Sequence, residues 1–366
     1  MGEDARADLL LLYDFLHTRG GAERVLHCLH AHFNAPVCVG YVAAESFGEL
    51  FARAQLIDLG AGSRLAPLAV ARTLHAFSQA GSAVAARYPT RLYSGSYAPL
   101  ANRGVSGGRS IYYCHTPPRF LYDLRAHYQQ SFPVWQRPLL AMLRNWLLPR
   151  YEAAVRSMDV VLTNSRNVQH RLQRYLNVDS RVVYPPVEAS RFHWRSDQGY
   201  FLSTARLEPL KRVDLLVGAF KRMPSQQLVV ASGGSEFARL QALAAGARNI
   251  RFTGWLEDGA LEKLMGEARA SIYLPVDEDF GMSPVESMAA GKPVIGVAEG
   301  GLLETVLDQQ TGILLPPSFG EDELIAAVHS MSADRARAMK AACETQAGQF
   351  STERFLDEIE AVLRSG

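Results

Sequence analysis

Short apolar runs alternate with helix-compatible stretches along almost the whole chain, and this alternation limits the fold more than any other feature. Residues 8–13 read as a strand and 22–33 as a helix. Residues 36–42, 110–114 and 159–163 read as further strands, the last followed by a helix over 166–175. Such a pattern calls for a parallel sheet covered on both faces by helices. At 184–186 the sequence Tyr-Pro-Pro blocks helix and central strand alike, and the polar, aromatic stretch 188–199 reads as a hinge or linker. The alternation then restarts, with strands over 200–205, 227–232, 271–274 and 293–297 and helices over 212–222, 235–246 and 284–290. A chain of 366 residues is long enough for two ordinary domains, and 48% apolar residues supply two cores. We therefore expect one doubly wound domain over 1–186 and a second over 187–348. The last segment, 349–366, is expected to cross back onto the first as a helix with an apolar face of Phe355, Leu356, Ile359, Val362 and Leu363.

The strongest chemical signal is the run Asp-Glu-Asp-Phe-Gly-Met-Ser-Pro-Val-Glu over 277–286. It follows a strand and enters a helix, so Glu278 in the loop and Glu286 in the first helical turn both face the carboxyl end of the sheet. Ligands of open α/β sheets bind there. Gly281 lets backbone come close to a ligand, and the helix start turns N–H groups toward an anion. A second signal lies at 203–220, where Arg206 and Lys211 flank a short loop between strand and helix. Two cations at a strand end suit a diphosphate. Gly20 and Gly21 follow the first strand and open a helix. They form a turn able to expose amides to phosphate, although the spacing is not GxGxxG. His115 stands just past a strand end, ahead of Thr116 and two prolines.

These motifs together resemble glycosyltransferase family 4, the large retaining group with the GT-B fold, in which two Rossmann-like domains face each other across a cleft. The stretch 278–286 is similar to that family's Glu-x7-Glu signature. The resemblance implies that Glu278, with the backbone of Phe280, Gly281 and Met282, holds the donor sugar, and that Glu286 holds the ribose. It gives Arg206 and Lys211 the departing nucleoside diphosphate. Gly20 and Gly21 fall to the amino-terminal glycine loop, and His115 to the donor sugar at the reaction centre. Asn164-Ser165 and the loop 254–258 are weaker matches, and 43–109 matches no motif. The sequence around GGAERV and HTPPRF resembles bacterial surface-polysaccharide mannosyltransferases. That implies hexose transfer, mannose from GDP-mannose, to a lipid-linked or polysaccharide acceptor. A UDP-sugar enzyme, a soluble-acceptor synthase of the same fold and a catalytically silent nucleotide-binding subunit are the alternatives. Asp277 and Asp279 form a literal D-x-D, but inside the Glu-x7-Glu signature they read as loop acids. No metal and no cofactor are expected, the nucleotide sugar being a co-substrate.

Charge narrows the partners. A net charge of +1 argues against a nucleic-acid binder. Between Gly60 and Tyr151, however, the only acid is Asp123, among eleven arginines. That asymmetry points to an anionic membrane surface or a phosphate-bearing substrate, or else to arginine usage in a chain with only five lysines. Residues 63–87 and 134–156 read as long helices mixing apolar, aromatic and arginine residues. They either pack on their own domain or rest among lipid headgroups, with Pro138 and Pro149 limiting continuity in the second. The polar start Met-Gly-Glu-Asp-Ala-Arg is no signal peptide, and no run reaches the roughly 18 apolar residues of a membrane span. Four unpaired-looking cysteines suit a reducing compartment. The expectation is a cytoplasmic protein, peripheral at most on the inner face of the membrane.

Overall fold

The computed structural model describes residues 8–17, 20–43, 51, 56–63, 66–130, 133–365. The polar start at 1–7, Thr18 and Arg19 beside the glycine turn, and Arg64 lie outside the described residues. The chain divides into two compact units, Met1–Tyr184 with Leu356–Gly366, and Pro185–Phe355.

The first unit holds a sheet of β1 (Leu9–Tyr13), β2 (Val37–Val39), β3 (Leu56–Asp58), β4 (Thr90–Ser94), β5 (Arg109–Cys114), β6 (Val160–Thr163) and β7 (Arg181–Val182). Their order is β3-β2-β1-β4-β5-β6-β7, and every pairing is parallel. β1 is Leu-Leu-Leu-Leu-Tyr and buried throughout, as a central strand covered on both faces must be. The second unit holds β8 (Tyr200–Ser203), β9 (Gln227–Val230), β10 (Ile250–Phe252), β11 (Ala270–Ile272), β12 (Val294–Val297) and β13 (Gly312–Leu315). Their order is β10-β9-β8-β11-β12-β13, again all parallel. In each sheet the winding reverses once, between β1 and β4 and between β8 and β11. Loops leave these two junctions in opposite directions, which opens a crevice at the strands' carboxyl ends.

Three expectations need correction. Residues 134–156 form a short 3₁₀ turn and then one continuous helix, Arg137–Arg156, despite both prolines. Pro138 sits in the first turn, where its missing N–H has no helical partner to lose. Pro149 is held inside the helix by the burial of Leu147, Tyr151, Ala154 and Val155 around it. The stretch 63–87 is interrupted: Ala66–Ala76 is α-helix, Phe77–Gly81 a π turn and Ser82–Ala85 a last helical turn. Finally, 188–199 is no free linker. Phe192 is buried, Arg191 pairs with Asp258 and Glu262 at 2.7 Å, and buried Lys292 lies 3.2 Å over the Trp194 ring while donating to the Ser196 carbonyl.

The terminal helix is Thr352–Arg364. Its link to the first unit is made by His32 on Glu360 (2.8 Å) and by Arg109 donating to the Leu363 carbonyl (3.3 Å). Just upstream, Phe350 packs edge-on against Phe280 and its carbonyl accepts from Val187 N–H. The chain therefore passes to the first unit at Leu356 rather than at 349.

Candidate functional site

The second unit gathers its chemical groups at the reversal between β8 and β11. β8 ends at Ser203, and Pro209–Lys211 makes a 3₁₀ turn that delivers Lys211. β11 ends at Ile272, and its loop carries Tyr273 and Glu278. The two loops are joined by the Val276 N–H, which donates to the Leu210 carbonyl. Lys211 Nζ then donates to Glu278 Oε2 at 2.5 Å and to the Tyr273 hydroxyl at 3.1 Å. Burial alone would pull the Lys211 ammonium down. Tyr273 and Glu278 outweigh it and hold the group above its ordinary value, so it stays cationic. Burial pushes the Tyr273 phenol up to about 12, with the Glu278 charge adding to it, so it remains protonated.

Arg206 lies in the same loop after β8. Its side chain is exposed and makes no ion pair among the described residues. Arg212, which sequence reasoning passed over, staples the loops. It adopts a left-handed backbone conformation (φ 51°) and donates to the carbonyls of Leu274 (2.7 Å) and Pro275 (2.6 Å) and to Glu299 Oε1 (2.5 Å). One guanidinium thus ties together the ends of β8, β11 and β12, which its planar set of donors allows and a lysine would not.

Gly281 caps the helix Met282–Ala289 with φ 91°, a conformation open to glycine and strained for other residues. Gly281 itself has no side chain with which to cap that helix start. The Phe280 ring is buried against Phe350, which leaves its backbone as the part a ligand can meet. Glu286 is buried and falls in the second turn, a correction to its expected place in the first. Behind the loop stand Gly300 and Gly301, which the sequence reading missed. A Cβ on Gly300 would lie 2.4 Å from the Glu278 carbonyl oxygen, and the Gly301 N–H donates to that oxygen at 2.7 Å. Paired glycines separated by two residues from a strand end were the available signal. Trp255, in the weakly matched loop after β10, is exposed and sits over Gly233, where a Cβ would come 2.4 Å from its indole nitrogen.

The remaining candidates belong to the first unit. Gly20 is the extended N-cap of the helix Gly21–Phe33, again without a capping side chain. Asp14, also missed, leaves β1 and accepts from the N–H groups of Ser96 (2.6 Å), Tyr97 (2.6 Å) and Ala98 (2.8 Å) beyond β4. It clamps the sheet's own reversal point. Gly95, at φ 102°, leaves room for its carboxylate. His115 follows β5 with its ring edge-on to Tyr113, and its Nε2 is buried without a hydrogen-bond partner among the described residues. Asn164 and Ser165 follow β6, and the Ser165 hydroxyl caps the helix Arg166–Leu176.

Burial lowers His115 from 6.5 to about 4, so the folded state favours the neutral ring. The stabilisation from this group is complete above pH 6.5 and is lost as pH falls toward 4. It amounts to at most about 3 kcal/mol, less in proportion to the part of the ring that meets solvent. We expect the melting temperature of the native chain to drop more steeply across that window than that of His115→Gln. Parallel melting curves for the two would discard this assignment of the acid sensitivity.

Residues 187–348 match the family described as Glycosyl transferases group 1. A D-inositol 3-phosphate glycosyltransferase of Mycobacteroides abscessus is 29% identical over 231 residues, covering 57% of this chain and 52% of that protein. Alpha-1,3/1,6-mannosyltransferase ALG2 of Saccharomyces cerevisiae is 25% identical over 264 residues, covering 57% and 50%. The chain spans about half the length of these curated relatives. Among solved structures, Anabaena HepE, crystallised in complex with UDP and glucose, superposes with a TM-score of 0.77 at 18% identity over 98% of this chain and 100% of that one. The two doubly wound units give this chain the GT-B fold.

Proposed function

We propose that this chain, whose second unit carries a group 1 glycosyl transferase domain, is a retaining hexosyltransferase that needs no metal. The observation that carries the reading is the cation–carboxylate–phenol cluster of Lys211, Glu278 and Tyr273 at the β8/β11 reversal. In transfer, the bond from the sugar's anomeric carbon to the diphosphate breaks and a bond to the acceptor oxygen forms on the same face. The acceptor's proton passes to a phosphate oxygen of the leaving group. Lys211 and Arg206 take up the charge that grows on that diphosphate. Glu278, with the backbone of Phe280, Gly281 and Met282, orients the sugar hydroxyls, and Glu286 serves the ribose. Gly20 and Gly21 serve the phosphates, and His115, with its Nε2 unpaired among the described residues, the sugar.

The proposed donor is GDP-mannose, a reading supported by the similarity to a mannosyltransferase; the UDP complex of HepE favours a UDP-sugar as the second reading. The proposed acceptor is lipid-linked or a growing polysaccharide, supported by the arginine-rich first unit. A thermal-shift screen of GDP, UDP and dTDP identifies the base, since the preferred nucleotide raises the melting temperature most. Transfer from the matching nucleotide sugar is then expected to survive excess chelator. No response to any nucleoside diphosphate defeats the transferase reading, and loss of transfer in chelator defeats the metal-free one.

A further inference from the structure

The helix Arg137–Arg156 exposes the face that a helix on a water-soluble surface makes polar. Trp135 is 76% exposed, Leu139 53%, Met142 65% and Trp146 38%. Their spacing of four, three and four residues places them in one stripe along the helix and the turn before it. Val134, at 72% exposed, extends the stripe at its start. Scattered apolar residues on a surface need no explanation, but a continuous stripe with a tryptophan near each end does. The helix's own buried residues, Leu147, Tyr151, Ala154 and Val155, all lie in its second half, so the exposed stripe is not part of its packing face.

The surroundings of the stripe are cationic. The helix has four arginines and a single acid, Glu152, which is held by Arg156 at 3.1 Å. Asp123, the one carboxylate between Gly60 and Tyr151, is bound by Arg119 at 2.7 Å. The Arg150 guanidinium stacks 4.3 Å over the Trp146 ring, which keeps both at the edge of the stripe. Beside them opens a cleft of about 590 Å³ whose lining includes His75, Arg103, Arg150, Leu143 and Trp146 and, among the described residues, no carboxylate. An apolar ridge flanked by cations, next to a cleft lined by Arg103 and Arg150, complements a surface with an apolar interior and an anionic skin. No helix among the described residues is long and apolar enough to cross a membrane, so the helix would lie in the plane of that surface.

We propose that Trp135, Leu139, Met142 and Trp146 form the blade by which this protein docks on an anionic lipid bilayer, with Arg103 and Arg150 receiving a headgroup phosphate in the adjoining cleft. The proposal deepens the lipid-linked reading of the acceptor given above, yet its test reads membrane binding and not transfer, so each can fail alone. The full chain is sedimented with vesicles of phosphatidylcholine, with or without phosphatidylglycerol. We expect it to pellet with the phosphatidylglycerol vesicles at low salt and to be released by high salt. The double variant Trp135→Asp/Met142→Asp should bind more than about tenfold more weakly, and Arg103→Ala roughly fivefold more weakly. All three positions are exposed, and an unchanged thermal-shift response to nucleoside diphosphate shows that each variant remains folded. Failure to pellet with anionic vesicles, or pelleting that neither variant weakens, overturns the proposal. So does a vesicle-free dimer that Trp135→Asp dissociates, since a second copy of the chain would then be the stripe's partner.

Discussion

Arg206→Ala is expected to lower the rate of sugar transfer about 10²- to 10³-fold, equivalent to ~3–4 kcal/mol of lost transition-state stabilisation, while leaving the fold's stability unchanged within about 0.5 kcal/mol. The two halves of that expectation have different origins. The Arg206 side chain is exposed, pairs with no carboxylate among the described residues and packs into no core, so removing it breaks nothing in the resting protein. Its proposed work begins when a diphosphate sits at the β8 strand end and negative charge grows on the leaving group. Lys211→Ala gives a useful contrast. It loses transfer to a similar degree, but it also removes the ion pair between Lys211 and Glu278, so its melting temperature falls as well. Steady-state kinetics beside thermal melts distinguish the two cases. Normal turnover in Arg206→Ala removes the residue from the mechanism.

That contrast bears on what a sequence can reveal. That Arg206, Lys211 and Glu278 stand in loops past strand ends was legible because each follows an apolar strand and precedes a helix, and ligands of parallel sheets bind at such places. The supports of the site were not. Arg212 joins Glu299 across 87 residues and Asp14 joins Ala98 across 84, and no local pattern marks a polar contact made at that range. Strand β4 was missed for a related reason. Its sequence Thr-Arg-Leu-Tyr-Ser hardly reads as a central strand, yet Arg91 is buried, with its guanidinium donating to the carbonyls of Tyr88 and Gly107. The edge strands β3 and β7 are three and two residues long, too short to show a period. Pro149 misled in the opposite direction. Local propensity ends a helix there, but packing around Tyr151 and Ala154 carries it through.

Glu278→Gln separates binding from chemistry. In the resting protein the Lys211 ammonium is already committed, to Glu278 at 2.5 Å and to Tyr273 at 3.1 Å. A diphosphate reaching for Lys211 must therefore compete with a carboxylate and sit beside its charge. Two unit charges ~5 Å apart at an effective dielectric of about 20 repel by ~3 kcal/mol. In the complete donor this conflict resolves, because the sugar hydroxyls give Glu278 new donors as the phosphates claim Lys211. With a nucleoside diphosphate alone, no sugar is present to do so. Glu278→Gln is therefore expected to bind the nucleoside diphosphate roughly tenfold more tightly than the native protein, a gain of ~1.4 kcal/mol, while losing nearly all transfer. Without ligand the variant is less stable by ~1–3 kcal/mol, since a largely buried ammonium has lost its charged partner. Nucleotide binding recovers part of that loss, so the ligand-induced rise in melting temperature exceeds the native one. Calorimetric titration of both proteins decides the matter. Weaker nucleotide binding in Glu278→Gln means that the carboxylate helps to hold the nucleotide, and the ion pair is then no obstacle that the donor has to open.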